Sequence, residues 1–361
     1  MKLSVENTSP GALDLMGRVL RSQGSLASEY PLVFHEDLPG RLVTLSEEGA
    51  VRSACAIVER NLRIGSACLR VGLIGSVSTD PAWRSRGFAS RVLKAAENEL
   101  ADHGATLALL WADDPGFYRS HGYAEIGAEI DYVISSELAT HLPSADGVRP
   151  ARSTDVDTMH RLYLEHAERI DRSEIESRAL LSTPGVEVLV RERDGDPVAY
   201  SCLGRGSDLQ DVVHEWGGSV EDVLSLVRGH LEARQSKGND NELFLMAPLT
   251  AAGAFAQLDR LGAPSVRGIL GLGKLLDAHG AEALLAQALP EVTCDVQERP
   301  SGAQFRLRGP SGTAELDTTE LINVLFAARG ERDAIDALAG SLGASFDALP
   351  MLPFVWGLDS I

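Results

Sequence analysis

From Arg41 to Pro81 apolar and polar residues alternate in short runs, RLVTLSEEGAVRSACAIVERNLRIGSACLRVGLIGSVSTDP. That period of two predicts a strand meander, with turn signals at Glu48-Gly49, Asn61, Gly65 and Gly72. The period then changes. In RGFASRVLKAAENELADHG, Val92, Leu93, Ala96 and Leu100 recur at helical spacing, and Gly104 stops the helix. ATLALLWA, from Ala105, is a continuous apolar run and reads as a buried strand. PGFYRSHGYAEI, from Pro115, predicts a short helix, a glycine turn and another strand.

A similar order follows. ARSTDVDTMHRLYLEHAERI predicts a helix capped by Thr154 or Asp155. VEVLVRERDGDPVAYSCLG reads as a hairpin turning at Asp194-Gly195-Asp196. GSVEDVLSLVRGHLEARQ is a helix, ELFLMAP a strand, and AAGAFAQLDRLGAP a helix ending at Gly262. Hairpin, long helix, strand, short helix and glycine turn thus occur twice, with FAQLDRLGA standing where GFYRSHGYA stood. The pattern predicts a diverged internal duplication. From about residue 281 the texture changes to a helix (AEALLAQAL), two or three strands (VTCDVQERPSGAQFRLRGPSGTAELDT) and two helices (TTELINVLFAARG, ERDAIDALAGSL). The sequence predicts an α+β protein built of α/β layers, ending in a small α+β unit.

The last residues, MLPFVWGLDSI, are apolar where chain ends are usually polar and frayed. They predict a buried tail. Length supports two or three domains: the chain has 361 residues. Its formal net charge is -19, which argues against a nucleic-acid partner or an anionic membrane surface. An acidic surface permits a cationic substrate. The four cysteines, Cys55, Cys68, Cys202 and Cys294, form no C-x-x-C pair, so neither a zinc site nor a disulfide framework is expected. The N-terminal residues carry no signal-peptide pattern, and no run of about 18 apolar residues occurs; a cytoplasmic location is expected.

The chemistry concentrates in SVSTDPAWRSRGFASRVL, residues 76–93. Arg84-x-x-Gly87-x-Ala89 falls at a strand-to-helix junction, where small residues and a helix N-terminus suit an anion such as a pyrophosphate. This stretch resembles the acetyl-CoA loop of the GNAT acyltransferase superfamily. GFYRSHGY, about thirty residues later, is similar to that family's second landmark. The resemblance implies acetyl-CoA as cosubstrate and a GNAT fold over residues 1–138. It implies that Val77, Ser78 and Thr79 pair with the pantetheine arm, and that Arg84, Ser85, Arg86, Gly87, Phe88, Ala89 and Ser90 hold the pyrophosphate. It also makes Tyr118 the general acid. Residues 139–278 lack the loop and have Leu258 at the Tyr118 position, so they would be a degenerate GNAT unit.

This domain order resembles the Eis-type N-acetyltransferases, whose last domain is similar to a sterol carrier protein. The resemblance implies tandem GNAT folds followed by such a domain at 279–361. It implies further that the carboxylate of Ile361 enters the active site and handles the amine proton. No metal is expected. The acceptor would be an amine of a cationic small molecule, aminoglycoside-like, or of a lysine or peptide, and a homo-oligomer is expected. The alternative is a non-catalytic protein that binds acyl-CoA or lipid.

Other patterns are discounted. GILGLGKL has Leu275 where a P-loop needs a hydroxyl, and reads as a turn or hairpin. HEWGG lacks the second histidine of a zinc protease motif. His160 and His166 are expected to face solvent, and Ser46-Glu47-Glu48 to form a solvated turn. His121 lies in a turn and is a weak candidate base.

Overall fold

The computed structural model describes residues 1–21, 25–35, 38–239, 242–299 and 302–361. In chain order the strands are β1 (Lys2–Glu6), β2 (Arg41–Glu47), β3 (Ala50–Ile64), β4 (Ala67–Thr79), β5 (Leu107–Leu110), β6 (Ala124–Ile126), β7 (Glu129–Ile134), β8 (Val148–Pro150), β9 (Glu168–Ile170), β10 (Glu187–Arg193), β11 (Asp196–Leu203), β12 (Val212–Gly217), β13 (Leu243–Pro248), β14 (Ser265–Gly268), β15 (Gly271–Leu275), β16 (Thr293–Arg299), β17 (Gly302–Arg308) and β18 (Thr313–Asp317). Among the described residues they form sheets of eight, seven and three strands.

The first sheet runs β1-β2-β3-β4-β5-β15-β6, with β9 beside β3. The meander turns at Glu48-Gly49 and at Gly65, all with positive φ. Asn61 and Gly72 are not turns. They lie inside long paired strands, opposite Arg70 and Glu59. Gly72 serves packing instead: a Cβ there would stand 2.5 Å from Leu100 Cδ1 on the helix Phe88–Asp102. That helix buries Phe88, Val92, Leu93, Ala96 and Leu100, the stripe its spacing predicts. It connects β4 to β5, which run parallel.

The second sheet runs β14-β7-β13-β12-β11-β10-β8. β10 and β11 form the expected hairpin around Asp194 and Gly195. β12 and β13 run parallel, connected by the helix Val220–Ser236. The antiparallel pair, parallel pair and connecting helix of the first sheet therefore recur. The fold is α+β, with tandem GNAT-like sheets.

Strand membership does not follow the linear division at 138 and 278. β7 pairs with β13 and β14 in the second sheet, whereas β15 inserts between β5 and β6 in the first. Hence GILGLGKL is no hairpin: the chain leaves β14 in one sheet and enters β15 in the other. Sequence periodicity identifies a strand but not its partner, so this exchange was not visible in it.

The third sheet, β16-β17-β18, buries Phe305 and Leu307 against the helices Thr318–Phe326 and Asp333–Leu342. Three short N-terminal helices, Pro10–Leu20, Leu26–Glu29 and Pro31–Phe34, were not anticipated. His160 and His166 do not simply face solvent. Both are half-buried: His160 Nδ1 lies 2.8 Å from Ser177 Oγ, and His166 packs 4.2 Å from the Trp356 ring. No described helix is long and apolar enough to cross a membrane.

Candidate active site

The site begins where two parallel strands part. β4 and β5 are paired only from Val71–Leu107 to Leu73–Leu109. Beyond Leu73, β4 continues to Thr79, held on its other edge by β3. Among the described residues its edge facing β5 has no strand partner there, so backbone groups of Val77 to Thr79 border a slot between the two strands. An extended chain can add to such an edge through main-chain hydrogen bonds.

A bulge bends β4 inside the slot. Ala54 faces Ser78 and Ala56 faces Gly75, so Cys55 alone opposes both Ser76 and Val77. Ser76 takes φ 52°, uncommon for a residue with a side chain. Ser78 is buried; its hydroxyl donates to Ser76 O at 3.1 Å, and Ser53 Oγ donates to Ser78 O at 2.9 Å. The bend is thereby fixed by side chains as well as by the ladder.

At the end of β4, Asp80 caps a single turn, Pro81–Trp83, and the chain enters the loop at Arg84. Ser85 and Gly87 have φ 59° and 74°. Arg84, Ser85, Arg86 and Gly87 are exposed, whereas Phe88 is buried and anchors the following helix. Gly87 is the N-cap and offers no side-chain acceptor, and the first turn contains no acidic residue. The first N–H groups of this helix, at Phe88, Ala89 and Ser90, thus meet the requirements of an anion site. Arg86 stacks on Trp83 at 4.8 Å, leaving its charge beside the loop.

The C-terminal tail reaches the same bulge. Phe354, Val355, Trp356 and Leu358 are 0–3 % exposed, as their composition predicted. At its end, Ile361 lies directly on β4: a Cβ at Gly75 would sit 2.3 Å from the Ile361 carboxyl carbon. Gly75 is a glycine because the carboxyl group occupies the space a side chain would need.

Tyr118 approaches from the other face. Successive strand residues point to opposite faces. Ala54 and Ala56 belong to the apolar cluster against which Ile361 packs, with Met16, Tyr30 and Val33. Cys55 belongs to the cluster that contains Ile74 and Phe88, and Tyr118 packs against that one. Tyr118 sits on the short helix Pro115–Arg119, N-capped by Asp114 through Gly116 N at 3.0 Å. Its ring meets Phe117 at 5.0 Å and Tyr123 at 5.8 Å, both edge-on. Burial, with a smaller contribution from Cys55, pushes the phenol up to about 12. It therefore stays protonated throughout the neutral range. His121 sits at the end of this helix, with Nδ1 2.8 Å from Phe117 O.

Gly75 and Ser76 were missed as site residues. The usable signal was a glycine within the apolar strand run LIGSVS, which marks a bulge or a close backbone approach.

With this geometry in view, the comparisons with known proteins are informative. Residues 6–126 match the family described as acetyltransferase (GNAT) domain. No curated protein matches the sequence. Three solved structures are similar in fold. A GCN5-related N-acetyltransferase from Anabaena variabilis has a TM-score of 0.69 at 14% identity, covering 100% of both chains. Eis1 from Mycobacterium abscessus has a TM-score of 0.61 at 16% identity, covering 98% of this chain and 99% of that one. A probable N-acyltransferase from Enterococcus faecalis, of unknown function, has a TM-score of 0.63 at 13% identity, covering 89% and 86%. At these identities the likeness speaks for the fold, while the family match covers the slot, the loop and the Tyr118 helix. The likeness to a GNAT acetyltransferase domain lies in residues 6–126, and the protein is an acyltransferase.

Proposed function

We propose that the protein transfers the acetyl group of acetyl-CoA to a primary amine in the β4–β5 slot. The observation that carries this reading is the carboxyl group of Ile361 seated on Gly75, at the bulge, opposite the face that holds Tyr118. In this reading Val77 to Thr79 hold the pantetheine arm as an added strand. The loop from Arg84 to Ser90 holds the pyrophosphate through its N–H groups, with Arg84 and Arg86 supplying charge. The bent β4 presents a backbone N–H to the thioester oxygen, where negative charge grows during attack.

The neutral amine attacks the thioester carbon. A carbon–nitrogen bond forms and the carbon–sulfur bond breaks. As nitrogen becomes positive its proton turns acidic, and the Ile361 carboxylate, an anion at neutral pH, receives it. The phenol of Tyr118 gives its proton to the departing thiolate and regains one from solvent. Acid and base sit on opposite faces of the sheet, so neither blocks the other.

The unit built on the second sheet serves as a degenerate GNAT unit and residues 279–361 as a sterol-carrier-like unit that delivers the tail, an Eis-type arrangement. The acidic chain, with net charge -19, favours a cationic acceptor, aminoglycoside-like or a lysine or peptide amine. Thiol release from acetyl-CoA with a panel of polyamines tests the reading. Tyr118→Phe should lower kcat by about 100-fold or more, the usual worth of a general acid. CoA binding without turnover on any amine would instead indicate a carrier or sensor.

A further inference from the structure

We infer that Arg205 is a positioning residue for acyl transfer, clamping the last five residues so that the Ile361 carboxyl group stays against Gly75. The inference rests on the acetyl-transfer reading above and gives the second unit a function in it.

Arg205 is 2% exposed, and its Nε and Nη1 donate to backbone carbonyls. Nη1 donates to Gly357 O at 2.5 Å and to Ser360 O at 3.0 Å, and lies 3.3 Å from Ser360 Oγ. Nε donates to Glu29 O at 2.9 Å, and the guanidinium stacks 4.1 Å above the Tyr30 ring. One side chain of the second unit thus joins the helix Leu26–Glu29 of the first unit to the tail. The Ser360 carbonyl it holds belongs to the peptide that enters Ile361.

Arg172 fixes the tail one step earlier. It donates to Asp359 Oδ1 and Oδ2, both at 2.8 Å, and to Glu215 Oε1 and Oε2 at 3.0 and 2.5 Å. Tyr163 donates to Asp359 at 2.7 Å, and Tyr200 to Glu215 at 3.0 Å. Gly357 fits against His214, where a Cβ would meet the ring at 2.5 Å. Two arginines and two carboxylates are buried together.

Burying ions is costly, and apolar packing would plug a core at least as well. What directional hydrogen bonds add is orientation. Here they act on main-chain and side-chain groups immediately before the terminal carboxyl. A reacting group held by a buried, hydrogen-bonded shell keeps its geometry through turnover.

Two readouts on the full chain test this. The first is hydrogen exchange of residues 355–361. Arg205→Lys keeps the charge but loses the fork, and should accelerate exchange there by about 10-fold or more while leaving β4 unchanged. The second is a double-mutant cycle. Arg205→Lys should lower kcat by about 10- to 100-fold with KM for acetyl-CoA within twofold, yet cost nothing further in a chain lacking Ile361. Should that variant not fold, Arg205→Gln, which removes the charge but keeps an N–H donor, undergoes the same two measurements with the same expectations. Unchanged tail exchange overturns the proposal, as does an equal kcat loss with and without Ile361. Failure of the acetyl-transfer reading shows separately, as no thiol release by the unmodified protein, and the exchange measurement still judges the clamp.

Discussion

The two GNAT-like sheets are built alike and finished differently. In the first, β4 and β5 part after Leu73 and leave a slot. In the second, β12 and β13 are paired at Val212–Phe244 and Val213–Leu245 and then part in the same way. There Trp216 closes the gap: its Nε1 donates to Met246 O at 3.0 Å, bridging β12 to β13. Phe255 and Trp356 pack on it edge-on, at 5.3 and 5.0 Å. The connecting helices differ as well. The helix after β4 starts on Gly87 with no side-chain cap and no acid in its first turn. The helix after β12 starts on Ser219, whose hydroxyl accepts from Asp222 N, and carries Glu221 and Asp222 in that turn. One helix end is left open to an anion; the other satisfies itself and repels one. The tail touches both places, packing Gly357 on His214 and Ile361 on Gly75. Two copies of one layout have separated into a slot and a holder.

The largest effect expected from this difference is acid lability of the second unit. His214 and His230 are both 0% exposed, and burial lowers both to about 3. Neutral in the folded state, they gain protons on unfolding below their ordinary value of about 6.5. Stability from this source is complete above pH 6.5 and falls as pH drops towards 3, with up to two protons taken up. Glu129 and Asp131 on β7, raised by burial to about 8 and about 6, act in the opposite sense and offset part of that loss. Among the described residues the first sheet has no buried histidine. Hydrogen exchange from pH 7 to 4 should show β10 to β13 and the helix Val220–Ser236 losing protection before β2 to β5.

Next in size is Trp216→Ala. It should cost about 3–5 kcal/mol by leaving a cavity. It should nevertheless create no second CoA site, because Ser219, Glu221 and Asp222 remain. Calorimetry gives the first quantity and CoA titration the second.

Gly75→Ala probes the slot. The added Cβ cannot share space with the Ile361 carboxyl group, so the tail end must shift. A displacement of about 1 Å at a reacting group is enough for a 100-fold loss of kcat, measured at saturating acetyl-CoA. Ala89→Asp makes the first helix resemble the second. It should raise KM for acetyl-CoA by about 10-fold, while Glu221→Ala leaves that KM unchanged.

How much of this was legible in the sequence depended on range. The helix Phe88–Asp102, its glycine-led start and the Tyr118 helix are local patterns, and all were read correctly. Burial of the tail was also local, carried by Phe354, Val355, Trp356 and Leu358. The exchange of β7 and β15 was not, since a period of two does not name a partner strand. The bulge at Gly75 and Ser76 left only a glycine in a strand. Arg172, Arg205 and Asp359 left no sign at all: their contacts join residues 43 to 196 positions apart, and each alone reads as surface charge.

One working slot and one filled one should give this chain a single CoA site. Titration of CoA into the unmodified protein, repeated with Ala89→Asp, measures this. One CoA per chain is expected, with affinity lowered about 10-fold by the substitution. Two CoA per chain, or binding indifferent to Ala89→Asp, would contradict it.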